Sequence, residues 1–369
     1  MRSQSDLNPC RMTDLKILVR ENVRKLTPYK SARDEFSGKT GIFLDANENP
    51  YGNLNRYPDP YQRELKTAIS KIKGIEQEKI FLGNGSDEII DLCFRIFCNP
   101  GRDKALIFTP TYGMYEVSAS VNDIETIKIP LNKNFQIDLD KTKQLLTDSK
   151  LKLIFICSPN NPTANAMNFD DVEDIITNFD GIVVIDEAYI DFSEKPSFLK
   201  LINTYPNLIL MHTFSKAFGL AAARVGMAFS SPEIIRYFNK LKPPYNISTI
   251  NQKAALNKLN NMEGVKNQVL RIRREREKLS AILEKMSVVE RVYPSDANFL
   301  LVKVKNADLI YNTLINNNII TRNRSSVVDN CLRITVGKRS ENDILIDAFY
   351  ELDHSTLGSQ QKEANLNDI

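Results

Sequence analysis

The sequence predicts an α/β protein in which a large domain, built on a mostly parallel central sheet flanked by helices, precedes a smaller C-terminal α+β domain. Three observations carry this. From about residue 41, short apolar runs alternate with stretches of helical period. Several of these runs, among them LKLIFIC (151–157), GIVVID (181–186) and NLILMHT (207–213), are apolar at consecutive positions. A strand covered on one face alternates, whereas an unbroken apolar run expects cover on both, as crossover helices give a parallel sheet. After residue 286 the order changes to strand, strand, helix, strand, helix, which marks a second unit.

The elements follow in order. Residues 1–40 are polar with scattered apolar positions, and LTPYKSAR (26–33) contains a proline, so this stretch reads as an arm. KIFLGNGS (79–86) reads as a strand that breaks at glycines before a helix, and ALIFT (105–109) as a strand before a helix from about Tyr112. IETIKI (124–129) and the three runs above complete the strands, with helical stretches such as DLDKTKQLLTDS and FDDVEDIITNF between them. A charged, helix-period stretch from about 250 to Met286 reads as one long helix connecting the domains. Strands are expected at 289–293, 297–304 and 331–336, and helices at 307–316 and 341–352. The expected division is an arm at 1–40, a large domain at 41–250, a small domain at 251–354 and a disordered polar tail at 355–369.

Composition narrows the function. Of the 369 residues, 42% are hydrophobic and 26% charged, the balance of an ordinary globular protein. A net charge of +3 does not call for a nucleic-acid partner, and RIRREREK (271–278) mixes both signs as a solvated helix face does. The five cysteines form no CxxC pair and the two histidines are far apart, so no zinc site, disulfide framework or other metal centre is expected. The N-terminus has no apolar signal core and no apolar run approaches about 18 residues, so neither secretion nor membrane insertion is expected and the location should be cytoplasmic.

The motifs that carry chemistry sit at strand ends. GNGSDE (83–88) puts Ser86 and Asp87 at a helix N-terminus, which fits a phosphate cup and equally an ordinary N-cap. TPTYGMY (109–115) offers Tyr112 either to stack on a planar cofactor or as a half-buried turn residue. SPNNPT (158–163) places Asn161 at the edge where ligands bind open α/β sheets, although turn chemistry alone accounts for such a segment. VVIDEAYIDF (183–192) is sharper, because Asp186 ends a buried strand and a buried carboxylate needs a partner. The protonated ring nitrogen of pyridoxal phosphate (PLP) is such a partner, and Tyr189 lies within reach of the same ring. A metal carboxylate or a Walker-B-like acid is the alternative, and the missing Walker A loop weakens the latter. In SKAFGLAAAR (215–224), Lys216 suits a covalent attachment point and proton shuttle, with Ser215 and Arg224 completing a phosphate site.

LDANENPYG (44–52), NRYPDP (55–60), GNGSDE, PTYGMY, CSPNNPT, IDEAYIDF, TFSKAFGLAAARVG and CLRITVG (331–337) together resemble the fold-type I PLP aminotransferases. Within them the pattern is most similar to the histidinol-phosphate aminotransferase family, over about residues 20–352. The resemblance implies that Lys216 binds PLP covalently, that Asp186 pairs with the pyridine nitrogen, and that Tyr189 and Asn161 meet the ring oxygen. It implies that Tyr112 stacks on the ring and that Ser86, Asp87, Ser215 and Arg224 hold the phosphate. Tyr29 would line the substrate pocket, alongside Asn161. Tyr57 would reach the active site of a partner subunit, which makes the unit a homodimer. Arg333 and Arg322 would take the anionic ends of histidinol phosphate and of glutamate or 2-oxoglutarate.

Three departures from the family pattern stand out. Ala164 follows NPT where the family has glycine, and alanines precede Arg224 where glycine is common. The segment between Arg322 and Arg333 is short, so Arg324 competes with Arg322 for the anion. The implied reaction is transamination of L-histidinol phosphate with 2-oxoglutarate in histidine biosynthesis. The alternatives are an aromatic or broad aminotransferase, a threonine-phosphate decarboxylase, and a non-catalytic PLP-fold regulator. The last would need a DNA-binding domain for which the N-terminal residues leave no room.

Overall fold

The structure is a computed structural model that describes residues 15–29 and 41–366, with side chains described as far as residue 354. Strands β1 (Ile80–Asn84), β2 (Lys104–Thr109), β3 (Glu125–Pro130), β4 (Leu151–Cys157), β5 (Ile182–Asp186), β6 (Leu208–Thr213) and β7 (Val225–Phe229) form a seven-stranded sheet. Its order is β1-β7-β6-β5-β4-β2-β3. β7 runs antiparallel to both its neighbours, and the remaining pairs are parallel. The unbroken apolar runs have the expected cause. Ile182 and Val184 enter one core layer and Val183 and Ile185 the layer on the opposite face.

Helices of eight residues or more are α1 (Arg63–Lys73), α2 (Ser86–Phe97), α3 (Met114–Val121), α4 (Phe169–Asn178), α5 (Pro232–Leu241), α6 (Thr249–Leu259), α7 (Met262–Leu283), α8 (Ala307–Asn316) and α9 (Arg339–Leu366). Their starts carry side-chain caps where the sequence offers them. Asn168 accepts from Asp171 N before α4, and Ser231 accepts from Ile234 N before α5, which has proline in its first turn.

The second sheet comprises β8 (Val289–Val292), β9 (Phe299–Val304), β10 (Arg322–Asn323) and β11 (Cys331–Thr335). It is antiparallel with order β10-β11-β9-β8. Leu300, Val302, Leu332 and Ile334 face a core shared with α7, α8 and α9. The alternate positions, Phe299, Leu301 and Arg333, face the other way, toward the large sheet. α7 joins the two units: Val265 and Val269 at its start pack in the large core, while Leu279 and Leu283 at its end pack in the small one.

Several elements depart from the sequence reading. The stretch from 250 to 286 is two helices, because Asn261 turns its side chain onto Gly264 N and starts α7 afresh. α1, α5, β7 and the two-residue β10 were not expected. The VGMAF run of β7 is short and holds a glycine, which reads as a break. That glycine is required: a Cβ on Gly226 would stand 2.6 Å from Gly85 C and 2.7 Å from Ser86 N. α9 continues to Leu366, through residues expected to be disordered, since its QQKEAN segment holds good helix formers. The stretch expected as an arm is partly packed: Leu15–Leu18 and Glu21–Lys25 form short helices whose Leu15 and Val23, with Val19 between them, enter the large core, while residues 26–29 have no regular structure and residues 1–14 and 30–40 lie outside the described residues.

α1 buries a lysine. Burial pushes the Lys66 amine down to about 8, the nearby Lys242 adds to this, and Asp59 opposes it. The folded state therefore binds fewer protons at this site than the unfolded chain between pH 8 and the ordinary 10.5. Stability should rise with pH through that window. Lys66→Met should be more stable at pH 7 by on the order of 2 kcal/mol and should lack that rise, as read from urea midpoints across pH.

Candidate active site

The C-terminal ends of β4, β5 and β6 and the N-terminus of α2 surround one cavity of about 250 Å3. Ser86, Asp87, Tyr112, Asn161, Asp186, Tyr189, Ser215, Lys216, Arg224 and Arg333 all line it. This is the position that open α/β sheets reserve for ligands.

Asp186 is the last residue of β5, level with Cys157 of β4 and Met211 of β6. Its carboxylate is buried. It accepts from Tyr115 Oη at 2.8 Å and from Ala188 N at 3.0 Å. Burial raises its pKa, and these two bonds resist the rise. Both donors are neutral, so the ionised carboxylate is best completed by a cationic N–H.

Lys216 follows β6 by way of a turn in which Ser215 N donates to Thr213 Oγ1 at 3.1 Å. Its Nζ lies 5.5 Å from the centre of the Tyr189 ring. Burial, and next the Arg333 guanidinium, hold its pKa below the usual lysine value, with Asp186 opposing. Burial also raises the pKa of the Tyr189 and Tyr112 hydroxyls, which keeps both protonated as donors.

One end of the cavity is an anion cradle. Arg224 adopts a left-handed backbone with φ 50°. Its Nη2 donates to Asp87 Oδ2 at 2.8 Å, and Tyr112 Oη donates to Asp87 Oδ1 at 3.1 Å. The Asp87 carboxylate is therefore engaged in holding Arg224 and Tyr112, and the cradle itself consists of the α2 backbone N–H groups, Ser86, Ser215 and the guanidinium. Gly85 makes this possible, because a Cβ there would lie 2.5 Å from Arg224 Nη2.

At the other end, Arg333 Nη1 donates to Asn161 Oδ1 at 2.6 Å across the gap between the two sheets. The amide oxygen is thereby occupied, and the Asn161 Nδ2 protons are the groups offered to a ligand oxygen. Arg333 also lies over the Phe299 ring, 5.5 Å from its centre. Arg322 sits opposite Arg333 in the β10–β11 ladder and shares its face, and Arg324, two residues on, shares it too. Arg324 is half-buried, and its pKa is lowered by burial, then by Arg333 and Arg322.

Three residues named from the sequence lie elsewhere. Tyr29 is exposed, and Tyr57 is half-exposed and stacks on Tyr245 with ring centres 4.4 Å apart. Neither they nor Arg322 line the cavity of their own chain. Conversely, Tyr115, Cys157, Ala188, Thr213 and Ala221 join the lining or support it. Tyr115 falls in the first turn of α3, while Tyr112 precedes that helix, and the two rings meet edge-on with centres 5.6 Å apart. Ala164 takes the positive φ of 68° that its place after NPT implies, at a cost of order 1 kcal/mol relative to glycine.

The donor set fits PLP. A buried carboxylate suits a pyridinium N–H, the glycine-floored cradle suits a phosphate, and an amine of lowered basicity lines the same cavity. Fold and site define a fold-type I PLP-dependent aminotransferase. Comparison with known proteins agrees: residues 40–349 match the model of the family described as aminotransferase class I and II. A histidinol-phosphate aminotransferase of Cytophaga hutchinsonii is 50% identical over 337 residues, spanning 89% of this chain and 97% of that protein. One of Parabacteroides distasonis is 52% identical over 340 residues, spanning 91% and 98%. The solved histidinol-phosphate aminotransferase of Clostridium acetobutylicum superposes with TM-score 0.76 at 26% identity, over 82% of this chain and 92% of that one. That of Sinorhizobium meliloti, solved in complex with pyridoxal-5'-phosphate, gives TM-score 0.75 at 24% identity, over 84% and 90%. The chain belongs to the class I and II aminotransferases and, within them, to the histidinol-phosphate aminotransferase family.

Gly226→Ala should push Gly85 and Ser86 out of the cradle. A stability loss of about 1–3 kcal/mol in thermal melts is expected. A lower visible cofactor absorbance after purification should accompany it.

Proposed function

We propose that the protein transfers the amino group of L-histidinol phosphate to 2-oxoglutarate, giving imidazole acetol phosphate and L-glutamate, in histidine biosynthesis. The observation that carries this is the single cavity in which Asp186, Lys216 and the Arg224 cradle face the Arg333–Asn161 pair. Relatives about half identical along nearly their full length bear the name of that activity.

PLP, when bound, supplies an electron sink for the charge left on the substrate α-carbon. Asp186 would hold the cofactor's ring nitrogen as an ion pair, with its carboxylate kept in place by the Tyr115 Oη bond. Ser86, Ser215, Arg224 and the α2 N–H groups would hold the phosphate, Tyr189 Oη and Asn161 Nδ2 would donate to the ring oxygen, and Tyr112 would lie against the ring. Lys216 is the attachment point. Burial and the Arg333 guanidinium lower its basicity, which favours the neutral amine that would take a proton from the substrate α-carbon. Arg333, with Arg322 on the same face, binds the substrate phosphate or a carboxylate of glutamate, since a guanidinium fork suits both.

The working unit in this reading is a homodimer. Ile42, Leu44 and Tyr51 are 91%, 89% and 84% exposed on one irregular segment, an apolar surface that asks for cover. Tyr57 lies on the same segment and would complete the partner's substrate pocket, and Tyr29 would line that pocket as well. No helix among the described residues is long and apolar enough to cross a membrane, and we place the enzyme in the cytoplasm. We place the domain division within α7, whose start packs in the large core and whose end packs in the small one, beyond the residue 250 expected from the sequence.

Wild-type protein should be yellow, and reduction with borohydride should fix the cofactor covalently. Lys216→Ala should abolish that adduct in intact-mass spectra. With histidinol phosphate alone, the visible band should convert in a single turnover, and 2-oxoglutarate should restore it. Conversion by phenylalanine only, or release of CO2 from threonine phosphate, would sink the assignment. Sedimentation should give a dimer, and Leu44→Asp should shift it toward monomer with loss of turnover.

A further inference from the structure

Asp296 lies between β8 and β9 on the small domain and is half-buried. It does not line the cavity; it lines a separate groove of about 630 Å3 behind the cavity loops. Its carboxylate takes two hydrogen bonds from the large domain. Ala166 N donates to Oδ2 at 2.9 Å, and Ser193 Oγ donates to Oδ1 at 3.1 Å. Its own N–H donates to the Ala164 carbonyl at 2.8 Å. Ala164 and Ala166 belong to the loop after β4 that carries Asn161, and Ser193 closes the turn after β5 that carries Tyr189. Arg276 of α7 stitches the same junction, donating from Nη1 to the Ala297 carbonyl at 2.7 Å and to the Phe192 carbonyl at 3.4 Å.

The Asn161 loop is thus held by the small domain at two points. Arg333 grips it inside the cavity and Asp296 grips it behind. We propose that Asp296 is a positioning residue, tying both cavity loops to the small domain and thereby setting the span between the substrate-binding Arg333 and the cofactor-side groups Asn161 and Tyr189. This rests on the reading of Arg333 as the substrate's anion ligand. The chemistry of the junction favours a carboxylate. An ionised carboxylate accepts from both loops at once, whereas an asparagine has one acceptor oxygen. The Ser193 hydroxyl can turn round to accept from an amide N–H2, but the Ala166 N–H cannot. An error of about 1 Å in that span is enough to spoil a forked contact to an anion.

The test uses holoenzyme and half-reactions with histidinol phosphate and, separately, glutamate, comparing Asp296→Ala, Asp296→Asn and Ser193→Ala. For Asp296→Ala the KM for both substrates should rise at least about fivefold, with kcat within about twofold and cofactor content and visible spectrum unchanged. Asp296→Asn should fall between this and wild type, and Ser193→Ala should raise KM about twofold. KM values within experimental error of wild type in folded Asp296→Ala would overturn the proposal. So would a parallel loss of cofactor and kcat, which marks a general scaffold. If Asp296→Ala does not fold, Ser193→Ala decides: an unchanged KM overturns the proposal and a raised one supports it. Failure of the functional reading is distinguishable, because wild type itself would then show no conversion with histidinol phosphate.

Discussion

The site depends on burying a carboxylate at the end of a central strand. Asp186 lies where β4, β5 and β6 run side by side, with apolar layers on both faces of the sheet. An ionised group there is tolerated only with donors, and Tyr115 and the Ala188 N–H supply two neutral ones. The remaining demand is for positive charge, and it gives the cavity a fixed direction. A cationic ring nitrogen would meet that demand at Asp186, and an anionic end would suit the N-terminus of α2.

The opposite charge is managed just as tightly. Lys216 shares the cavity with Arg224 and Arg333, and each like charge makes its protonated form less favourable. Asp87 draws Arg224 toward the helix terminus and so aims the guanidinium at the cradle. Asn161 occupies Arg333 with a neutral oxygen, which steadies the side chain without cancelling its charge. Three cations, Lys216, Arg224 and Arg333, outnumber the two carboxylates, Asp87 and Asp186, in the cavity, a balance that suits ligands carrying phosphate or two carboxylates. An anion bound by Arg224 or Arg333 would thereby be electrostatically linked to the basicity of Lys216.

Legibility in the sequence followed the range of the interactions. The parallel strands were readable because burial on two faces writes unbroken apolar runs, and LKLIFIC and GIVVID became β4 and β5. Cavity-lining residues such as Ser86, Asn161 and Asp186 were readable because each stands near the end of such a run or at a glycine break. β7 was not, since its short run owes its place to pairing with β1 and β6 and to the close approach of Gly226 to Gly85. The break between α6 and α7 turned on the Asn261 cap, a local signal outweighed by the long charged period around it. Tyr115 was hidden because its partner, Asp186, lies 71 residues away.

The sequence by itself determined the class of fold, the cofactor and most of the residues that gather around one cavity, since these follow from burial and from local turn chemistry at strand ends. Tertiary structure decided how those residues hold one another. It showed that Asp87 spends its carboxylate on Arg224 and Tyr112, that Arg333 orients the Asn161 amide, and that Asp296 joins two loops to a second domain. It also put Tyr29, Tyr57 and Arg322 outside the cavity of their own chain. Such facts depend on distances between residues far apart in the chain, and periodicity carries no record of them.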